Sequence, residues 1–525
     1  MAKKINMDAM IPRADFCELE EKSPQTDKIP ALGLSQLGED SFLVPNLRKP
    51  DFQRETNQWS IDQVLVFLKS FLDNELVPSV ILWQSPSSIF VIDGAHRLSA
   101  LIAWIRDDYG DGTISQKFYG PQISGDQSTI ADRLRKRINR EIGSFTQFKQ
   151  AMKSIDNIES DRVLSQRASN AITRTLSLQW VEGNAEKAES SFFKINTQGT
   201  PLDKVEGRLL KNRRKPIAIA ARSVVRAGYG HKYWSNFQED IQSEIEKISR
   251  ELHGLLFSPE IERPIRTLNL PHGGHVSTIS ACNIMMNLFA YAIEQTDRAV
   301  RDSYLYSEDV DGAATIRVLK GLRRVMFRIT GNESPSLGLH PAVYFYSATG
   351  RHWDVVLVAT VSVFSKAIKN NDDAFFRSFT ENRRTLEEIF LNHKTLIGQA
   401  NIAIRSTNRV QKWSELIERT ARGKLFAQGV SADEILGALD LRGKVVASDI
   451  REVGANFSRS TKSAVFLKDS VKAALKCPLC GGLFLAEKSV SYDHVKPKTK
   501  GGTGSPDNVQ LTHPYCNSIK GAEIV

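Results

Sequence analysis

Two short pairs of soft metal ligands near the C-terminus constrain this chain more than any other feature. Cys477 and Cys480 stand two residues apart, and His513 and Cys516 repeat that spacing. Two such pairs joined by a loop supply four ligands in a tetrahedron, the geometry of structural zinc. A segment this short cannot bury a core of its own, and a metal would replace that core. Clustered cysteines in a chain whose start lacks a secretory signal favour metal over disulfides. Cys17 and Cys282 have no partner at ligand spacing and read as small apolar residues.

Between and beside these pairs lie Asp493, His494, Asn508 and Asn517. An imidazole suits a general base near neutral pH. A carboxylate and amide oxygens suit magnesium or manganese, which prefer oxygen ligands. The run KPKTKGG (496–502) adds three lysines and two glycines where a phosphate could approach. The chain carries a formal net charge of +10. From Leu441 to Val525 there are 13 lysines and arginines against seven acids, so much of that excess sits around this constellation. A positive excess favours polyanions through phosphate neutralisation.

The segment from Cys477 to Lys520 resembles the zinc-containing HNH nucleases. Their pattern runs C-x-x-C, D-H, Asn, then a C-x-x-C pair followed by Asn and K-G. Here it is carried by Cys477, Cys480, Asp493, His494, Asn508, Cys516, Asn517, Lys520 and Gly521, with His513 where the commoner form has cysteine. The resemblance implies a catalytic set of His494, Asp493, Asn508 and Asn517. His494 would be the general base, Asp493 and Asn517 would hold a catalytic Mg2+ or Mn2+, and Asn508 would mainly order the loop. Cys477, Cys480, His513 and Cys516 would hold the structural Zn2+. A bare zinc ribbon that binds without cutting is the competing reading of the ligand pairs alone.

The chain as a whole divides by pattern. Residues 1–41 are mixed and polar and read as an N-terminal arm. Residues 42–212 alternate β-rich runs with helical stretches: a helix over 60–74 capped by Ser60, strands at 77–83 and 88–93, a helix at 97–105, a strand at 175–181 and a helix at 185–195. Residues 213–425 carry helical spacing at 240–257, 280–295, 314–329, 355–369 and 384–400, with ESPSLGLHP (333–341) as a helix–helix connection. Residues 426–525 are linker and terminal module. The expected class is a multidomain α+β protein: an α/β N-terminal domain, a mostly helical middle and a C-terminal ββα-metal module stapled by zinc. No apolar stretch is long enough to span a bilayer, which places the protein in the cytoplasm with no membrane partner.

In the front domain DGAHR (93–97) closes a strand and opens a helix. A helix N-terminus favours anions, Gly94 permits close approach, Arg97 could bind phosphate bidentately and Asp93 could hold magnesium. PDFQRETNQW (50–59) offers Gln53 and Arg54, and FFKINTQGTPLDKVEGRLLKN (192–212) offers Asn196, Gln198, Gly199 and Glu206. The order Q-R…W, I-D-G-x-H-R-L and F-x-x-I-N-x-x-G-x-x-L-x-x-x-E is similar to the ParB-like domain of GmrSD-type restriction proteins, over roughly residues 42–212. The resemblance implies that Gln53, Arg54, Asp93, Gly94, His96 and Arg97 line a site for GTP or ATP, and that this domain controls the HNH nuclease. Ala95 replaces the commoner glutamine after D-G, and D-G-x-H-R is also similar to proteins of phosphorothioate-modification systems.

The expectation is a defence endonuclease that cuts phage or foreign DNA, modified DNA included, under control of a nucleotide-binding or modification-sensing domain. Two rivals are a nucleotide-responsive DNA-binding regulator with a degenerate HNH fold and a mobile-element HNH nuclease. An RNA target, a homo-oligomer, the nucleotide used and the modification sensed are all left open by the sequence.

Overall fold

The computed structural model describes residues 4–14, 16, 28–50, 53, 55–120, 123–153, 162–198, 208–209, 212–229, 231–275, 278–294, 307–426, 429–445, 457–485 and 487–523. They form two compact units: Met1–Arg213 with Tyr229–Tyr233, and Arg214–Gly228 with Trp234–Val525. Arg54, Gly199, Glu206 and Cys17 lie outside the described residues, and the side chains of Asn196 and Gln198 are likewise not described.

The first unit is built on a six-stranded mixed sheet. Its strands are β1 (Arg13–Ala14), β2 (Ala31–Gly33), β3 (Leu47–Pro50), β4 (Val80–Gln84), β5 (Ile89–Asp93) and β6 (Thr175–Trp180), in the order β1-β3-β5-β4-β6-β2. β4 and β5 form an antiparallel hairpin whose register shifts between Ile81 and Leu82, opposite Asp93. Such a bulge re-aims the strand end. Side chains of β5 alternate as a strand requires. Val91 joins the core beneath α1 (Ile61–Leu72) and α2 (Ala95–Arg106), while Phe90 and Ile92 join a second cluster with Phe16, Trp83 and Phe192. Ser60 caps α1 in a reciprocal box: its Oγ accepts from Gln63 N and Gln63 Oε1 accepts from Ser60 N.

The segment read as an arm supplies β1 and β2. A buried charge cluster ties it down. Asp8 accepts from Arg13, from Lys49 Nζ at 2.7 Å and from Thr56 N at 2.9 Å, and the side chains of all three charged residues are at most 1% exposed. Burial pushes the Lys49 ammonium down to about 8, even with Asp8 beside it.

The second unit is helical, with a small module at its end. Helices α3 (Pro216–Val225), α4 (Glu239–Phe257), α5 (Thr278–Glu294) and α6 (Ala313–Ile329) pack together, and α7 (Asp354–Lys369) lies against α5 and a later helix. The stretch expected as one helix over 384–400 is two: α8 (Arg383–Asn392) and Lys394–Ala403, broken at His393. The break lets Lys394 Nζ reach the carbonyls of Ala342, Val343 and Tyr346. Helix α9 (Arg409–Ala421) packs on α7, and α10 (Arg459–Ala473) leads into the module. Among the described residues no helix is long and apolar enough to cross a membrane.

Candidate active site and zinc knuckle

The terminal module is a ββα unit: β7 (Ser491–His494) pairs antiparallel with β8 (Val509–Thr512), and α11 (Pro514–Lys520) follows at once. Pro514 at the first turn is suited to a helix start, since its missing N–H would have no partner there.

The four expected zinc ligands converge. One ligand atom from each of Cys477, Cys480, His513 and Cys516 lies within 4.8 Å of the others. His513 Nδ1 is 3.4 Å from Cys480 Sγ and 3.9 Å from Cys516 Sγ. Its Nε2 stands 3.1 Å from the Leu483 carbonyl, which can only accept, so that nitrogen carries the proton and Nδ1 bears the lone pair. Burial, followed by the charge of Arg383, pushes the imidazole below its ordinary value and keeps it neutral, as a ligand must be. Three sulfurs and one nitrogen at this spacing fit a tetrahedral zinc ion.

β7 and α11 bring the second set together. Asn517, on α11, donates through Nδ2 to Ser491 Oγ (2.7 Å) and Tyr492 O (3.2 Å). Its donors are thereby spent on β7, and its carbonyl oxygen has no hydrogen-bond partner among the described residues. Asp493 is 6% exposed, and one oxygen, Oδ2, takes both Gln510 Nε2 (2.8 Å) and Lys520 Nζ (2.9 Å). Oδ1 has no hydrogen-bond partner among the described residues, and neither has the half-buried imidazole of His494. Among the described residues the set thus carries a carboxylate oxygen, an amide oxygen and an imidazole that no hydrogen bond engages.

Asn508 plays a different part. Its Oδ1 accepts from Lys496 N (2.7 Å), and its Nδ2 donates to Lys496 O (3.1 Å) and Thr503 O (2.7 Å). Every polar atom of the side chain thus stitches the loop between β7 and β8. A Cβ on Gly502 would fall 1.8 Å from the Lys496 carbonyl, so only glycine fits there. The loop holds out Lys496, Lys498 and Lys500, all exposed and without an ion pair among the described residues.

The front constellation is also gathered at one place. Gly94 (φ +94°) opens α2, where a Cβ would meet Val80 at 2.8 Å. Arg97 donates to Asp93 Oδ2 (2.7 Å) and to the Ser79 carbonyl (3.0 Å). His96 stacks on Trp59 at 5.5 Å, and its Nε2 accepts from Gln58 N. Gln53 Nε2 reaches the Ile92 carbonyl, while its buried Oε1 has no partner among the described residues. Missed by sequence reasoning were Lys520 as the partner of Asp493 and Arg383 beside the knuckle. The K-G of the terminal motif was the one available signal for Lys520.

Comparison with curated proteins and with solved structures gives no match. Family models do match. Residues 35–214 match the GmrSD restriction endonuclease, N-terminal domain, and residues 477–523 match HNH endonuclease. The chain therefore has the GmrSD-type architecture, an N-terminal GmrSD domain followed by a C-terminal HNH endonuclease domain.

Proposed function

We propose that this nuclease of restriction type hydrolyses DNA phosphodiester bonds in phage or other foreign DNA, with His494 as general base and Asp493 and Asn517 as ligands of a divalent metal. What supports it is the ββα packing, in which Asn517 and Lys520 of α11 hydrogen-bond to Ser491, Tyr492 and Asp493 of β7, while among the described residues no hydrogen bond engages the His494 imidazole. His494 would take the proton of the attacking water. Mg2+ or Mn2+, when bound, would neutralise charge on the phosphate and leaving oxygen. Lys496, Lys498 and Lys500 would hold the strand's neighbouring phosphates. Zinc at Cys477, Cys480, His513 and Cys516 would keep the hairpin and helix in register.

The front domain is the proposed control element in a cytoplasmic enzyme. The N-terminus of α2, with Gly94 and Arg97, suits a nucleoside triphosphate's phosphates, and Gln53 Oε1, without a partner among the described residues, could accept from a ligand. Arg97 would have to leave Asp93 for the phosphate. The test is cleavage of unmodified and modified phage DNA with Mg2+ or Mn2+, with and without GTP or ATP, beside His494→Ala. Cutting that depends on nucleotide or modification and vanishes in the variant supports the whole reading. Cutting indifferent to both removes the control element. Salt-dependent DNA binding without product on any substrate would favour the regulator.

A further inference from the structure

The helix α8 brings a charge to the zinc knuckle from outside the nuclease module. Arg383 is fully buried, and Glu387 one turn on is 4% exposed. Arg383 Nε donates to Glu387 Oε1 (2.8 Å), Nη1 to the Leu337 carbonyl (2.5 Å) and Nη2 to the Gly338 carbonyl (2.9 Å). Nη1 also stands 3.3 Å from His513 Nδ1, and the guanidinium charge acts on the Cys480 sulfur. Glu387 Oε2 accepts from Leu483 N (3.1 Å), and the Leu483 carbonyl is the group that fixes the His513 tautomer. Arg383 and Glu387 therefore reach the knuckle by two routes, one through charge and one through the Leu483 backbone.

We infer that Arg383 is an outer-sphere positioning residue of the zinc knuckle, so that the helical region and the nuclease module complete one metal site together. Three thiolates and a neutral imidazole on Zn2+ leave one net negative charge, which a permanently charged guanidinium offsets. A buried Arg–Glu pair alone is weak evidence for stability, because desolvation consumes most of its attraction. Its placement against a metal cluster gives that burial a purpose. The fit is close: a Cβ on Gly482 would lie 2.1 Å from Arg383 Nε, a side chain held by Glu387 and the carbonyls of Leu337 and Gly338. Gly482 also supplies the carbonyl that takes Cys477 N.

The inference rests on the zinc reading above, so the experiment first measures zinc in the full wild-type chain and its transfer to a chromophoric chelator. Absence of zinc would overturn the metal reading itself, and this inference with it. In zinc-bearing protein, Arg383→Met is expected to speed transfer ten- to a hundred-fold, the usual cost of losing an outer partner. It should also shift the thiolate-to-metal charge-transfer band of the cobalt-substituted chain to lower energy, and Arg383→Lys should restore part of both. A lowered melting temperature with unchanged transfer and an unchanged band would mark Arg383 as a mere brace and overturn the inference. Should Arg383→Met not fold, Gly482→Ala moves the knuckle off the guanidinium without touching charge: faster transfer supports the inference, and the wild-type rate overturns it.

Discussion

Lys520 Nζ lies 2.9 Å from Asp493 Oδ2, with both side chains almost fully buried, and the same ammonium donates to the His494 carbonyl. The carboxylate proposed to hold the catalytic metal thus already has a fixed cation on one oxygen. That contact aims the other oxygen and anchors the backbone of the proposed base. Lys520→Met keeps the bulk and removes the charge, leaving a buried carboxylate unpaired, at a cost of about 3–5 kcal/mol. A divalent ion would then take the place of the one cation that pairs with Asp493 among the described residues. The expected outcome is a lower melting temperature without metal, and a larger upward shift on adding Mn2+ than in the wild type. Equal shifts in the two proteins would show that the ion does not sit at Asp493.

The two asparagines of the terminal motif separate by what their amides touch. Asn508 spends all its polar atoms on the 496–503 loop, whereas Asn517 keeps its oxygen uncommitted. Asn517→Ala should raise the Mn2+ concentration needed for half-maximal cleavage tenfold or more, with folding preserved. Asn508→Ala should lower stability by about 1–3 kcal/mol, from three lost hydrogen bonds, with an unchanged metal requirement. A metal titration of both variants decides it, and identical metal curves would refute the division of labour.

Local signals were legible in the sequence; long-range ones were not. The Ser60 cap, the β4 and β5 strands and the four clustered ligand positions of the terminal module announce themselves by spacing. By contrast, ESPSLGLHP (333–341) reads as a plain connection between helices. Folded, it is part of the bed on which the nuclease module lies: Tyr515 N donates to the Ser336 carbonyl, and Leu337 and Gly338 hold Arg383. Gly338, at φ +58°, has no room for a Cβ, which would fall 2.7 Å from the His513 ring. Arg383 itself sits in RRTLEEIF, where an arginine–glutamate pair one turn apart normally marks a solvated helix face. Nothing local distinguishes it from a surface pair, since its burial depends on residues about 100 positions later.

The front end of the chain makes the same point with a stability consequence. Asp8 looks like one polar residue in a mixed segment, yet it is the shared acceptor of Arg13, Lys49 and the Thr56 amide. Asp8→Asn would take the buried carboxylate away from two buried cations, Arg13 and Lys49. The expected loss is about 3–5 kcal/mol, read as a lower urea midpoint for the first unit by tryptophan fluorescence. A midpoint within experimental error of wild type would mean that the 4–14 segment does not hold β1 to the sheet.

In the second unit, buried His272 sets an expectation for acid. Its Nε2 stands 3.1 Å from the Leu339 carbonyl, and its Nδ1 has no partner among the described residues. Burial pushes its pKa down to about 3, with the charge of Lys488 adding to the effect. The folded value lies below the unfolded one, so between about 6.5 and 3 the unfolded chain binds the extra proton. Stability is therefore present above pH 6.5 and falls as pH drops through that window. The slope from this one residue is about 1.4 kcal/mol per pH unit where the two states differ by a full proton. His272→Gln retains a donor for the Leu339 carbonyl and cannot titrate. Urea unfolding of the full chain at several pH values from 7 to 4 should show a shallower loss for the variant than for the wild type. Parallel curves would mean that His272 is already protonated in the folded protein, or reaches water, and that the acid sensitivity of this unit lies elsewhere.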